Sequence, residues 1–196
     1  LHGEEKKIFI DIAPLENDVP MYYISNMLFE QHADTSSAAV FSISAGFALK
    51  PRAIYKYDII KEELFKSGVV GTIPKCCLYQ FDIDQDGRYE YYGPTHASDN
   101  YDVPVPYTDQ KAWLMIFNDD LTFKFPPIGF GSFTSNIIPH PIIINGKNHW
   151  VVLFRHHGNE KKFNNKIMLF TAQGKFLKTV DLAEMGFNSK LDYFVD

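Results

Sequence analysis

Along this chain, apolar residues fall in short runs of about four to eight positions, bounded by Gly, Pro, Asn and Asp. Few stretches carry the 3.6-residue apolar stripe of a surface helix. The pattern predicts strands at Lys7–Ile12, Met21–Phe29, Ala39–Phe47, Ala53–Ile59, Leu64–Val70, Cys76–Phe81 and Tyr89–Tyr92. It continues with Trp113–Phe117, Thr122–Phe125, Ile137–Ile144, Trp150–Arg155, Lys166–Thr171 and Phe176–Leu182. An all-β fold follows. The segment Tyr92–Gln110, broken by Gly93, Pro94, Pro104 and Pro106, reads as a long inter-strand loop of the kind that often carries binding.

The chain also repeats itself. The stretch from Trp113 aligns with the stretch from Lys166, matching Met115 with Met168, Phe117 with Phe170 and Phe123 with Phe176, all at an offset of 53 residues (170 minus 117). A fainter copy starts at Ile54. Each copy has the plan of strand, short polar turn and strand, and each is preceded by two more strand candidates. The clearest such pair is Ile137–Ile144 and His149–Arg155, joined by a turn at Asn145–Asn148. Four antiparallel strands recurring at roughly 50 residues is the plan of a β-propeller-type blade. The expected architecture is one propeller-like module of three to four blades, with units at 1–72, 73–131 and 132–182 and the start of another at 183–196. That number of blades does not close a common propeller, so the chain is expected to be part of a longer protein or an open or assembled array.

Composition supports the β reading and narrows the partners. Seventeen Phe and 11 Tyr suit pleated, half-buried surfaces, and 45% hydrophobic residues suffice for a sizeable core. The net charge of −5 supplies no basic field for nucleic acid. No run of apolar residues is long enough to span a bilayer, and the first residues lack the apolar stretch of a leader, so either a leader was removed or the chain had none. Cys76 and Cys77 are adjacent, point to opposite faces of a strand and read as free thiols.

One segment carries sharper chemistry. Residues Asp82 to Glu90 have the form D-x-D-x-D-G-x-x-E. Calcium prefers six to eight hard oxygen ligands, and carboxylates at alternate positions of a tight loop converge while Gly permits the turn. Asp82, Asp84, Asp86 and Glu90 supply side-chain oxygens, and the Arg88 carbonyl can add one more. An EF-hand would need an acid at loop position 12, which is Gly93, and would need helical flanks.

The Asp82–Glu90 segment between two apolar strands resembles the calcium loop of FG-GAP or VCBS repeats, the blade units of integrin-alpha-type propellers. The likeness implies a calcium ion held between adjacent strands of a blade by Asp82, Asp84, Asp86, the Arg88 carbonyl and Glu90. It covers about Ile73 to Phe130. The other units carry Asn145–Asn148 and Leu49–Arg52 where an acidic loop would fall, so one site is expected. More loosely, Asp109–Phe117 followed by Phe123–Ile128 resembles blades in extracytoplasmic regions of bacterial membrane sensors, including sensor histidine kinases.

Other constellations are weaker. His156 and His157 read as a surface turn, and His140 with His149 lacks a third zinc ligand. Asp99, Asp102 and Asp109 read as solvated loop acids, and Trp113 and Trp150 as packing residues. No P-loop, G-x-S-x-G, H-E-x-x-H or dinucleotide signature is present. The expectation is a non-catalytic, calcium-stabilised module of an exported or membrane-anchored bacterial protein, periplasmic or at the cell surface. Its role is to sense a ligand or engage a partner, either carbohydrate or protein. The alternative is part of a polysaccharide lyase or glycosidase whose catalytic residues lie in the 92–110 loop or outside this chain.

Overall fold

A computed structural model of the chain describes residues 22–32, 36–45, 52–68, 70–74, 76–99, 105–156 and 165–186. The predicted strand at Lys7–Ile12 and most of the further unit expected over 183–196 lie outside these residues. Within them the fold is all-β and antiparallel, with fifteen strands and no helix. No helix long and apolar enough to cross a membrane occurs among the described residues.

The first sheet comprises β1 (Tyr22–Ile24), β2 (Leu28–His32), β3 (Ser36–Ala45), β4 (Arg52–Asp58) and β5 (Glu63–Lys66). Both β1 and β2 pair with β3, and their registers differ by one residue, so together they form one edge strand broken by a bulge at Ser25–Met27. The side chain of Asn26 leaves this bulge and exchanges two hydrogen bonds with the backbone of Leu78, 2.9 Å to its carbonyl and 2.7 Å from its amide. A side chain thus stands in for a strand residue and ties the first sheet to the second.

The second unit is built from β6 (Tyr79–Phe81), β7 (Glu90–Tyr92), β8 (Thr95–His96), β9 (Ala112–Leu114), β10 (Ile116–Phe117) and β11 (Ile128–Phe130). Its sheet runs β6, β7, β10 and is extended by the single bridge Phe117–Phe123. The third unit is a meander of β12 (Ser135–Ile144), β13 (Lys147–His156), β14 (Lys166–Thr171) and β15 (Phe176–Asp181), with β8 added alongside β12. The 92–110 segment is therefore not wholly loop. The β12–β13 turn is tighter than expected: only Asn145 (φ 50°) and Gly146 (φ 72°) bend, and Lys147 is already opposite Ile144. Two left-handed residues give the twist that a two-residue hairpin requires.

Side chains alternate across a strand, and that alternation decides where the cores lie. Leu114 and Ile116 join a buried cluster with Trp150, Val152, Phe154, Met168 and Phe170 of the third unit. Met115 and Phe117, one residue out of phase, join another with Val40 and Ile54 of the first unit. Tyr91 and Tyr92 divide in the same way. The second unit thus buries both faces and is the middle layer between its neighbours. Each large apolar side chain so buried contributes about 1.5–3 kcal/mol.

The repeat is real at the level of hydrogen bonds. Phe117 lies opposite Phe123 and Phe170 opposite Phe176, with ring centroids 4.8 and 5.6 Å apart. In both hairpins the first turn residue donates to the fifth (Asn118 to Thr122, Thr171 to Lys175), and the fourth returns a bond to the first (Leu121 to Asn118, Gly174 to Thr171). The fourth residue is left-handed in each, Leu121 at φ 66° and Gly174 at φ 78°. Phe117 and Phe170, both fully buried, each face the unit before their own. In the first unit the innermost pair is Asp58 opposite Glu63, so its turn has four residues and is one shorter than those of the other two.

Candidate metal centre

The loop between β6 and β7 is held by its own side chains. Asp82 accepts backbone N–H bonds from Asp86 at 3.1 Å and Gly87 at 2.9 Å, and Asp86 accepts one from Arg88 at 2.9 Å. Gln85 and Gly87 take left-handed φ values of 61° and 85°, which turn the chain back on itself. The fold gathers carboxylate oxygens of Asp82, Asp84 and Asp86 to within 4.8 Å of one another. Asp84 and Asp86 are exposed and Asp82 half-buried.

Ile83 anchors the loop from beneath. Its side chain is buried in the cluster shared with the third unit, and its carbonyl accepts a 2.6 Å bond from Asn148 Nδ2 on β13. Its amide donates to Glu90 Oε2 at 2.8 Å. One residue between two aspartates therefore sets the loop against both the Glu90 strand and the next unit.

Glu90 is placed differently from the aspartates. It is buried, and its second oxygen, Oε1, accepts Lys124 Nζ at 2.7 Å. The same ammonium lies 2.5 Å from Asp84 Oδ2. Glu90 is thus joined to the aspartate group through a cation and not by direct convergence of the four acids. Burial pushes its carboxyl above the usual range, against the opposing pull of Lys124 and the Ile83 amide. Burial alone would lower the Lys124 ammonium, but its bonds to Asp84 and Glu90 outweigh this and raise it. Arg88 points its guanidinium to Asp119 at 3.5 Å, an exposed pair of little energetic weight.

The donor chemistry fits a hard divalent cation: every approaching side-chain ligand is a carboxylate oxygen. The Lys124 ammonium, seated on two of these acids, marks a place where positive charge is stabilised. Lys124 had no local signal in the sequence, because it reaches the loop from 34 residues beyond Glu90.

Of the other readings, some hold and some change. Asp109 is not a solvated loop acid: it is fully buried and pairs with Arg52 at 3.1 Å, while the same guanidinium also donates to the Gly71 carbonyl. Asp99 donates its amide to the Asp109 carbonyl, and Asp102 lies outside the described residues. His140 faces Val151, two positions along the ladder from His149, and His149 bonds the Lys147 carbonyl. His156 does not end in a free turn but contacts Ser135 Oγ at 2.8 Å through Nδ1. His157 lies outside the described residues. Trp150 is fully buried, whereas Trp113 is half-buried against Tyr107 and donates to the Thr108 carbonyl. Cys76 and Cys77 are free thiols.

A cavity of about 450 Å³ opens beside the loop, between Asp84 and Gln85 on one side and Asn148, His149 and Gln173 on the other. Asn148 keeps a buried Oδ1 without a partner among the described residues. No family model, curated protein or solved structure matches the chain.

Proposed function

We propose that the protein is a non-catalytic, calcium-stabilised module built from FG-GAP or VCBS-type propeller blades. In this reading it belongs to the extracytoplasmic part of an exported or membrane-anchored protein. The observation that carries the reading is the gathering of carboxylate oxygens of Asp82, Asp84 and Asp86 to within 4.8 Å of one another. Three successive antiparallel units, the middle one a three-stranded sheet extended by a single bridge and buried on both faces, support the blade assignment. Calcium would be held by Asp82, Asp84 and Asp86, with Glu90 and the Arg88 carbonyl completing the protein ligands. Its chemical contribution is neutralisation of the clustered carboxylates. Extracellular calcium modules bind in the range of roughly 0.1 to 1 mM, which suits a compartment outside the cytoplasm. The cavity beside Asp84, bordered by two turns of the following unit, supports a ligand-sensing role with a small polar or carbohydrate ligand.

Scanning calorimetry with millimolar calcium and with chelator tests the reading. Ligand at about 100 times its dissociation constant adds roughly 2.7 kcal/mol, so calcium should raise the melting temperature by several degrees. Asp84→Ala should remove most of that shift, and Asp99→Ala should leave it intact. Identical unfolding of the parent chain in both buffers would refute calcium stabilisation.

A further inference from the structure

We infer that Lys124 is the resident counter-ion of the acidic loop and competes with calcium for Asp84 and Glu90, so that the ion enters by displacing a covalently tethered ammonium. The inference rests on the calcium reading above and extends it to what sets the strength of the same site.

The geometry makes Lys124 more than a surface neighbour. Its Nζ lies 2.5 Å from Asp84 Oδ2 and 2.7 Å from Glu90 Oε1, and its side chain is only 10% exposed. The backbone that presents it is fixed, because the Lys124 amide donates to the Ile116 carbonyl at 2.9 Å in the outer hairpin of the same unit. Glu90 cannot find another cation cheaply: it is 4% exposed, and its other oxygen is already taken by the Ile83 amide. A buried carboxylate stripped of its partner is strongly destabilising, so the loop needs positive charge at this spot whether or not metal is present. Lys124 supplies one charge at high effective concentration, since it is tethered to the same fold.

Calcium supplies two charges and engages Asp82 and Asp86 as well, neither of which bonds Lys124 in the structure. The two cations cannot share Asp84 and Glu90, because they would repel one another at contact distance. Binding is therefore an exchange. The ammonium leaves, the divalent ion enters, and the measured affinity is the difference between the two. Two consequences follow: the metal-free loop keeps its shape, and the apparent calcium affinity is weaker than the carboxylate set alone would give.

Lys124→Met, which keeps most of the aliphatic stem and removes the charge, separates these effects. Without calcium, the variant should melt below the parent. In calorimetric titration with calcium chloride it should bind at least ~10-fold more tightly than the parent, the equivalent of ~1.4 kcal/mol. As an independent readout, amine acylation of the parent followed by mass spectrometry should show Lys124 becoming more reactive as calcium is added, with exposed Lys178 as the unchanging reference. Equal or weaker binding by the variant, or Lys124 reactivity unchanged while the parent binds calcium, overturns the competition and leaves the calcium reading standing. Binding by the variant but not by the parent establishes the competition and removes the calcium reading for the natural chain. Binding by neither overturns both. If Lys124→Met does not fold, the acylation of the parent decides: an increase with calcium sustains the exchange, and a flat response overturns it.

Discussion

The second and third units share a hairpin, a register and a turn, yet they are held together in different ways. In the third, β12 and β13 pair over ten consecutive positions through a two-residue turn, and the backbone ladder alone defines the sheet. In the second, the corresponding strands β6 and β7 pair over three positions, because the intervening residues form the acidic loop. What the ladder provides in one unit is replaced in the other by side chains: aspartates bonding the loop amides, Ile83 in the core, and Lys124 bridging Asp84 and Glu90. The difference teaches that an insertion which breaks a sheet is tolerated where local polar groups take over its hydrogen bonds, and that those groups can then serve as ligands.

The largest expected effect tests whether the two units depend on each other. Trp150 is fully buried in the cluster they share and meets the Tyr92 ring at 5.0 Å. Trp150→Ala should cost about 3–5 kcal/mol in urea denaturation, as large-to-small changes in cores do. If the loss were confined to the third unit, the single transition would split into two. One transition at a lower midpoint is the expected result.

A pair of glycines sharpens the comparison. Gly146 and Gly174 both occupy left-handed turn positions in the third unit, at φ 72° and 78°. A Cβ on Gly146 meets open space, whereas one on Gly174 would lie 2.6 Å from the Phe125 ring of the second unit. Gly146→Ala should cost about 1 kcal/mol, the strain of the backbone alone. Gly174→Ala should cost about 1–3 kcal/mol more, the range for forcing extra volume into a packed contact. Equal losses would show that Phe125 yields and that the two units are not tightly apposed there.

Much of this was legible in the sequence, for a local reason. Strand pairing has a strict period of two, so the common spacing of Phe117–Phe123 and Phe170–Phe176 fixes which rings meet and which face they line. The acidic loop was legible because its carboxylates are neighbours. Lys124 and the Arg52–Asp109 pair were not, since side chains 34 and 57 residues apart meet only through the stacking of sheets. The one-residue difference in the first hairpin turn also escaped the repeat. There Asp58, and not a glycine, organises the bend by accepting the amides of Ile60 and Lys61.

That cap gives a smaller prediction. The Lys61 amide above all, then the Ile60 amide, hold the Asp58 carboxyl below its ordinary value against the pull of burial. A depressed carboxyl contributes stability that is present above its unfolded value and is lost as pH falls through the folded one. Asp58→Asn should therefore cost about 1 kcal/mol or less at pH 7 and progressively less as the pH is lowered below 4. A difference from the parent that persists undiminished at pH 2 would exclude this origin.

The smallest effect concerns the entry to the second unit. Partial desolvation, with the nearby Cys77 thiol, pushes the Cys76 thiol up to about 11. Because the thiolate is the nucleophile, Cys76 should react with disulfide reagents far more slowly at pH 7 than its exposure suggests, and the rate should climb until pH nears 11. Rapid modification at neutral pH would show a lower value.

The Asn26 bulge changes what a hydrogen-exchange experiment on this molecule reports. The Leu78 amide is protected by a side chain of the first sheet and not by a neighbouring strand. Opening the second unit alone leaves that partner in place, and fraying the edge strand alone removes it. The exchange rate of this one N–H therefore reports how often the contact between the first and second sheets opens, fraying of the edge strand included.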